Sequence, residues 1–263
     1  MRLLPLLIAA NALAVHAAAH AQDEFTAACQ ASSSYDLTVA ADKLVFDRAA
    51  PAPRRLELSA GQLRADGAAV RLNTEDGDRL ALFERELREL LPKVRAVAQR
   101  GVDLALQGAR AEAAGLGLGA DTRAELDRRL SAHGAELRRR IATSTSTHDW
   151  QGEAGARYVD AILADLAPLL AADLGEQAMT AALGGDPNAA AALRQRAALL
   201  DGRVEQRLRQ RMQALRPQVQ ALCPAIHHLA ELQDGVRGAD GRALDLLEVA
   251  AARQAPAASG RVP

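Results

Sequence analysis

The residues that could do chemistry are few and lie far apart in the chain. His148 and Asp149 stand beside Trp150, the one place where a base, a carboxylate and a large ring coincide. Such a group could border a pocket and serve a hydrolase as its general base. The sequence contains neither a GxSxG nucleophile elbow nor a glycine loop that binds phosphate. We therefore expect no catalytic residues and no enzyme activity, and a hydrolase centred on His148 is the less favoured alternative.

The other histidines that follow the first 21 residues predict neither a metal site nor a cofactor. His133, His227 and His228 form no HExxH or similar spacing. His227 and His228 are adjacent, so they leave a helix about 100° apart and do not share one metal ion without further ligands. The glycines at 115, 117 and 119 lack the GxGxxG spacing of a dinucleotide site. We expect these histidines on helix surfaces or at helix caps.

The chain has two cysteines, Cys29 and Cys223, and both follow the N-terminal export signal described next. In an oxidising compartment an even pair favours a disulfide over free thiols. A metal site needs more ligands than two thiolates, and a catalytic thiol needs a base beside it. We therefore predict a disulfide between Cys29 and Cys223 that ties the two ends of the fold together.

The first 21 residues have the parts of an export signal. Arg2 precedes the apolar run from Leu3 to Val15, and small residues lead up to Ala21. We expect cleavage after Ala21 and a soluble mature protein, because no later run reaches about eighteen uncharged apolar residues. A lipid anchor on Cys29 is the alternative, which the acidic residues between the apolar run and that cysteine disfavour.

The charge pattern predicts no nucleic-acid partner. Of 263 residues, 25% are charged and 49% are hydrophobic, with a formal net charge of −1, which is the balance of a globular protein. The basic residues are spread along helices and form no single patch that would attract a phosphate backbone. In the arginine-rich stretch from 128 to 140, acidic residues alternate with the arginines, which predicts a solvated, ion-paired surface.

Residues 22–75 have the period of β-strands. Between Tyr35 and Leu72 apolar side chains recur at every second position, and turn signals at Ala60–Gly61 and Asp66–Gly67 separate them. The segment is predicted to form a small antiparallel β-meander with one apolar face. A few short strands do not bury such a face alone, so helices must cover it.

Residues 76–235 have the period of amphipathic helices and are predicted to pack on the sheet as one domain. The first helix follows Asn73. A capping box of Thr122 and Glu125 predicts the start of the second helix. A third is predicted from about Ala154 to Leu183.

A fourth and longest helix is predicted to begin at Asp186, with Pro187 in its first turn. Apolar residues then recur every three or four positions from Leu193 to Leu229, and Pro217 and Pro224 are expected to bend the helix. Residues 236–263 are expected to form a short helix and a flexible tail.

The predicted fold class is α+β, in which a small N-terminal antiparallel β-meander packs against several long, alanine-rich α-helices. Aromatic residues make up 2% of the chain, so small side chains must fill much of the core. Such side chains let helices approach closely, although each contributes little buried area.

The order of these motifs resembles the YggN-like proteins of the Gram-negative envelope. The segments that carry the resemblance are Cys29, Tyr35–Val39, Lys43–Phe46, Gly61–Leu63, Asp66–Gly67, Val70–Leu72, Phe83–Pro92 and Leu222–Pro224. Phe83 stands where the family pattern has a tyrosine, and Ala111–Ala142 matches it little. The resemblance implies a periplasmic protein of a family without an established activity, and therefore brings no catalytic residues.

Three functions are consistent with these expectations. The first and favoured one is a non-catalytic interaction or structural protein of the envelope, whose helices would bind a protein partner or a second copy of the chain. The second is a carrier or sensor of an amphiphilic small molecule held between the sheet and the helices. The third is the hydrolase centred on His148.

Overall fold

The computed structural model describes residues 28–150, 152–185, 188–189, 191–192, 207, 210–238 and 241–249. The expected export signal, the expected cap at Asp186 with Pro187, and the predicted apolar stripe from 193 to 206 lie outside these residues. Within them the chain has the predicted α+β fold, because an antiparallel sheet comes first and helices follow it.

The sheet is a five-stranded antiparallel meander whose strands pair in chain order. Its strands are β2 (Asp36–Val39), β3 (Leu44–Asp47), β4 (Arg55–Ser59), β5 (Gln62–Ala65) and β6 (Ala68–Ala69). Leu44 pairs with Leu58 and Phe46 pairs with Leu56, so the alternating apolar residues share one buried face. The predicted meander is thereby confirmed.

The turn between β4 and β5 needs its glycine. Gly61 has a φ of +79°, a conformation that costs other residues strain. A Cβ at this position would lie 2.5 Å from the carbonyl oxygen of Gly77 in the following helix. The backbone amide of Ala60 donates to the buried carboxylate of Glu84 at 2.9 Å. The turn is therefore seated on the helix by close backbone approach.

Three long helices follow: α1 (Thr74–Gly115), α2 (Ala120–Thr143) and α3 (Gly152–Leu183). Asn73 caps α1, since its side-chain oxygen accepts from the amide of Asp76 at 2.8 Å. The capping box predicted at Thr122 and Glu125 is not formed. The helix α2 begins earlier, after Gly119, and the Thr122 hydroxyl donates instead to Asp173 of α3 at 2.8 Å.

The predicted long last helix is interrupted in its described part. A 3₁₀ turn at Gln213–Leu215 leads into α4 (Arg216–Gln220), and α5 (Cys223–Gln233) follows after a short turn. Pro217 and Pro224 each stand in the first turn of their own helix. Proline lacks an N–H and clashes with the preceding turn, so each one starts a new helix rather than bending a continuous one.

The short helix expected within residues 236–263 is absent from the described part of that segment. Residues 236–238 and 241–249 instead return toward the N-terminus, where β7 (Glu248–Val249) pairs antiparallel with β1 (Ala31–Ser32). The buried Gln233 side chain accepts from the amide of Leu247 at 3.1 Å and donates to its carbonyl. Backbone pairing and this amide hold the segment in place without a helix.

Cys29 and Cys223 are joined by a disulfide, with their Cα atoms 5.0 Å apart. The predicted bond is therefore present. It links the N-terminal segment before β1 to the first turn of α5.

Two hydrophobic clusters lie along α1. We call the first the sheet-side core; its best-buried members include Leu44, Leu56, Leu58, Leu63, Leu80, Phe83 and Leu229. We call the second the helical cluster; it contains Val102, Leu106, Ala113, Leu116, Leu118, Leu126, Leu130 and Ile141. None of the helices that the structure describes is long and apolar enough to span a membrane.

Candidate functional site: an apolar cavity among the helices

A cavity of about 730 Å³ lies between α1, α2, α3 and the segment from Met212 to Leu222. The described residues that line it are Ala28, Val94, Val97, Ala98, Gly101, Val102, Ala105, Leu106, Ala109, Leu130, His133, Gly134, Leu137, Ile162, Met212, Gln213, Leu215, Arg216, Val219 and Leu222. Most of these side chains are aliphatic, so the cavity is an apolar space beside the helical cluster.

Small residues on one face of α1 create this space. Ala98, Gly101, Ala105 and Ala109 all line the cavity and follow each other at intervals of three or four residues. This spacing places them on the same side of a helix. Their short or absent side chains leave room on this face of α1, although Leu215 packs closely against Gly101.

The helices α1 and α2 pack closely at Gly134. A Cβ added to Gly134 would overlap the side chain of Leu106, which is itself buried. A larger residue at this position would force Leu106 to move, and both residues line the cavity. Neighbouring small residues thus serve opposite purposes, because Gly134 permits close packing and Ala105 leaves room.

One edge of the cavity carries a polar cluster. His133 lines the cavity, and its Nε2 lies 2.8 Å from a carboxylate oxygen of Asp165 on α3. Arg129 donates to the other carboxylate oxygen of Asp165 at 2.9 Å. The Tyr158 hydroxyl donates to the His133 carbonyl at 3.4 Å. This cluster joins α2 to α3, and its carboxylate is already matched by a cation.

The rest of the arginine-rich surface of α2 is ion-paired, as its alternating charges predict. Hydrogen bonds from Arg128, and then from Arg129, lower the pKa of Glu125 below its ordinary value. Glu136 accepts from Arg140 at 2.9 Å and also pairs with Arg139. The hydrogen bond from Arg140 is the main reason why the pKa of Glu136 is lowered.

A different edge of the cavity faces solvent. Ala98, Gln213 and Arg216 line the cavity and are exposed. None of the described lining residues is an aspartate or a glutamate. The described residues also give the Arg216 guanidinium no carboxylate partner. The solvent-facing edge is therefore polar and positively charged.

Of the three residues singled out for general-base chemistry, His148 lies apart from the other two. His148 is exposed, and its Nδ1 lies 3.0 Å from a carboxylate oxygen of Asp36 on β2. Asp149 and Trp150 turn elsewhere: the Ser144 hydroxyl donates to Asp149 at 2.8 Å and accepts from the Trp150 indole at 2.9 Å. These contacts hold the α2–α3 connector in place, and among the described residues no hydroxyl is hydrogen-bonded to the His148 ring.

The adjacent histidines of α5 also point to different partners. His227 Nε2 lies 2.7 Å from the Cys29 carbonyl oxygen, beside the disulfide. His228 lies 3.4 Å from a carboxylate oxygen of Glu86. Across the part of the chain that the structure describes, no group of three histidine, cysteine or acidic side chains is arranged to hold a metal ion.

The carrier hypothesis placed its ligand between the sheet and the helices, and this location is wrong. The buried face of the sheet is filled by Leu56, Leu58 and Leu63 against Leu80 and Phe83 of α1, all at 0 or 1% exposure. The open space lies among the helices instead. The repeated small residues on one face of α1 are the sequence signal that could have located it.

Fold and site together define an α+β protein with an apolar cavity between its helices. The model of a family described as "Protein of unknown function (DUF2884)" matches residues 29–239, which is most of the chain. The chain therefore belongs to this family. The match spans both cysteines of the disulfide and every described residue that lines the cavity except Ala28. No curated protein and no solved structure matches the chain.

Proposed function

We propose that this chain is an exported, non-catalytic binding protein of the cell envelope, which holds an amphiphilic small molecule in its interhelical cavity. The observation that carries this proposal is the apolar space of about 730 Å³ among α1, α2 and α3. Ligand cavities in proteins commonly have volumes of about 300–1,000 Å³, with mostly apolar walls and a few polar groups that orient the ligand. This cavity has those features.

The contrast with the rest of the molecule favours a ligand as the reason for this space. Protein interiors are packed about as densely as organic crystals, and atoms that line a void lose dispersion contacts. The sheet-side core is consistent with such packing, since nine of its side chains are 0 or 1% exposed. A bound apolar tail would restore the missing contacts along Val97, Leu106 and Ile162.

Export to the periplasm is the second part of the proposal. It is supported by the signal-like first 21 residues and by the disulfide, since such bonds persist in oxidising compartments. The likeness to YggN-like envelope proteins agrees with it. Fractionation of the native host followed by N-terminal sequencing should find a periplasmic species that begins near Gln22. Recovery of an intact Met1 species from the cytoplasm would overturn this part.

Binding is tested with a neutral, environment-sensitive dye, N-phenyl-1-naphthylamine, titrated into the purified mature protein. We expect saturable fluorescence enhancement with one site per chain. The variant Ala105→Phe places a ring in the cavity and should weaken dye binding at least about tenfold, because the ring occupies the volume that the dye needs.

The matched control is Ala111→Phe, which puts the same ring on the same helix at an exposed position that does not line the cavity. It should bind the dye as the parent protein does. Circular dichroism of both variants verifies that they are folded. Absence of saturable dye binding, or equal binding by the two variants, would overturn the proposal.

Binding of a protein partner or a second copy stays a separate prediction, which crosslinking in the envelope would test.

A further inference from the structure

We propose that the molecule held in the cavity has an anionic headgroup, and that Arg216 binds it at the solvent-facing edge. This inference rests on the proposed function, because it assigns the ligand class for the same cavity. It follows from the way in which charge is distributed around the cavity walls.

Three carboxylates on the helices around the cavity pair with basic side chains in the structure. Asp103 on α1 accepts from Arg138 on α2 at 2.6 Å, and Glu112 accepts from Arg207 at 2.8 Å. Asp165 on α3 is matched by Arg129 and His133. These three carboxylates are therefore already matched, and none of the described residues that line the cavity is an aspartate or a glutamate that would attract a cationic ligand.

Arg216 stands in the opposite situation. It is exposed, it lines the cavity, and the described residues give it no carboxylate partner. Guanidinium groups bind carboxylates and phosphates through two parallel hydrogen bonds, which are stronger than hydrogen bonds between neutral groups. Gln213 lies one turn earlier at the same edge and can donate a further hydrogen bond from its amide.

The apolar walls and this edge together fit an amphiphile with an apolar tail and an anionic group. The tail would lie along Val97, Ala105 and Leu106, and the headgroup would stay at the edge beside Arg216, where water completes its solvation. A free small anion lacks the tail, and a cationic detergent would be repelled by Arg216. Both therefore serve as discriminating probes.

The experiment measures displacement of N-phenyl-1-naphthylamine by dodecanoate, dodecan-1-ol, dodecyltrimethylammonium and acetate. The two ionic amphiphiles are used below their critical micelle concentrations, and the alcohol is used below its solubility limit. We expect dodecanoate to bind about tenfold more tightly than dodecan-1-ol, the scale of one charge-assisted hydrogen-bonded pair at a partly exposed site. Dodecyltrimethylammonium should bind more weakly than the alcohol, and acetate should not displace the dye.

Arg216→Gln should weaken dodecanoate binding about tenfold and leave dye and dodecan-1-ol binding unchanged, while Arg216→Lys should retain part of the preference. Arg85→Gln is the matched control, because Arg85 is an exposed arginine of α1 that does not line the cavity. It should leave every affinity unchanged. Unchanged dye binding in Arg216→Gln verifies that the cavity is intact.

The outcomes separate this inference from the proposed function. If the parent protein does not bind the dye, the proposed function fails and the headgroup assignment fails with it. If the dye binds but dodecanoate shows no advantage over the alcohol, only the headgroup assignment is overturned. The same holds if Arg216→Gln weakens binding of dodecanoate and dodecan-1-ol equally. Arg216 would then maintain the shape of the cavity and would not bind the headgroup.

Discussion

The sheet-side core and the helical cluster both include residues of α1, but their side chains are buried to different extents. In the sheet-side core, Leu56 and Phe83 are completely buried. In the helical cluster the best-buried side chain is Leu118 at 3% exposure, and the cavity lies beside it. The difference follows from side-chain size. Leucine and phenylalanine side chains fill the space between the sheet and α1, whereas the face of α1 that borders the cavity carries alanine and glycine.

This difference indicates that the two halves of α1 have different structural roles. The N-terminal half of α1 packs on the sheet and on α5, close to the disulfide that fastens the N-terminal segment. The C-terminal half faces α2 and α3, where no side chain of α3 is fully buried among its described residues. We infer that the first region supplies most of the stability and that the second can adapt its volume to a ligand.

The largest expected effect comes from removing the disulfide. Cys29 and Cys223 are 194 positions apart, so the bond closes a very long loop in the unfolded chain. The variant Cys29→Ala with Cys223→Ala should lower the free energy of unfolding by about 5 kcal/mol in the chain-entropy account. Urea denaturation of oxidised parent, reduced parent and variant measures this. Equal midpoints for the oxidised parent and the variant would contradict the stabilising role of the bond.

Truncations in the two regions should differ in cost. Phe83→Ala removes a ring that is fully buried and stands 6.3 Å from the Phe46 ring, and should cost about 3–5 kcal/mol. Ile162→Ala removes a side chain that borders the cavity and already lacks neighbours on one side, so it should cost less than about 2 kcal/mol. Urea titrations of both variants test the comparison. Similar costs would argue that the two regions are packed equally well.

The smallest effect distinguishes two glycines within the cavity wall. A methyl group at Gly101 would lie 3.4 Å from Leu215 Cδ1, an ordinary contact, so Gly101→Ala should stabilise the helix by about 0.5–1 kcal/mol. Gly134→Ala would press on Leu106 and should destabilise by about 1–3 kcal/mol. Thermal unfolding of the two variants gives the signs. Stabilisation by both would show that α1 and α2 separate easily at Gly134.

Local patterns predicted the elements well where neighbouring residues decide them. The alternation from Tyr35 to Leu72 predicted the meander because the strand period is a property of the backbone itself. The prediction was wrong where a helix start depends on contacts with residues that are distant in the sequence. Thr122 has the pattern of a capping residue but bonds to Asp173 on another helix, and the sequence pattern does not register that alternative partner.

The site was harder to predict for the same reason. His133 and Asp165 are 32 positions apart and meet because α2 and α3 pack at one particular register. The small residues of α1 can be read directly from the sequence. Whether they permit close packing or leave a cavity depends on the side chains that other helices place opposite them. Gly134 faces Leu106 and is closely packed, while Ala105 faces the cavity.

By itself the sequence determined the order of sheet and helices and the pairing of its two cysteines. Periodicity can be read from residues close together in the chain, and two cysteines allow only one intramolecular pair. Only the tertiary structure decided where the interior is solid and where it is open. That outcome depends on which side chains oppose each other across helices, and the opposing residues come from distant parts of the chain.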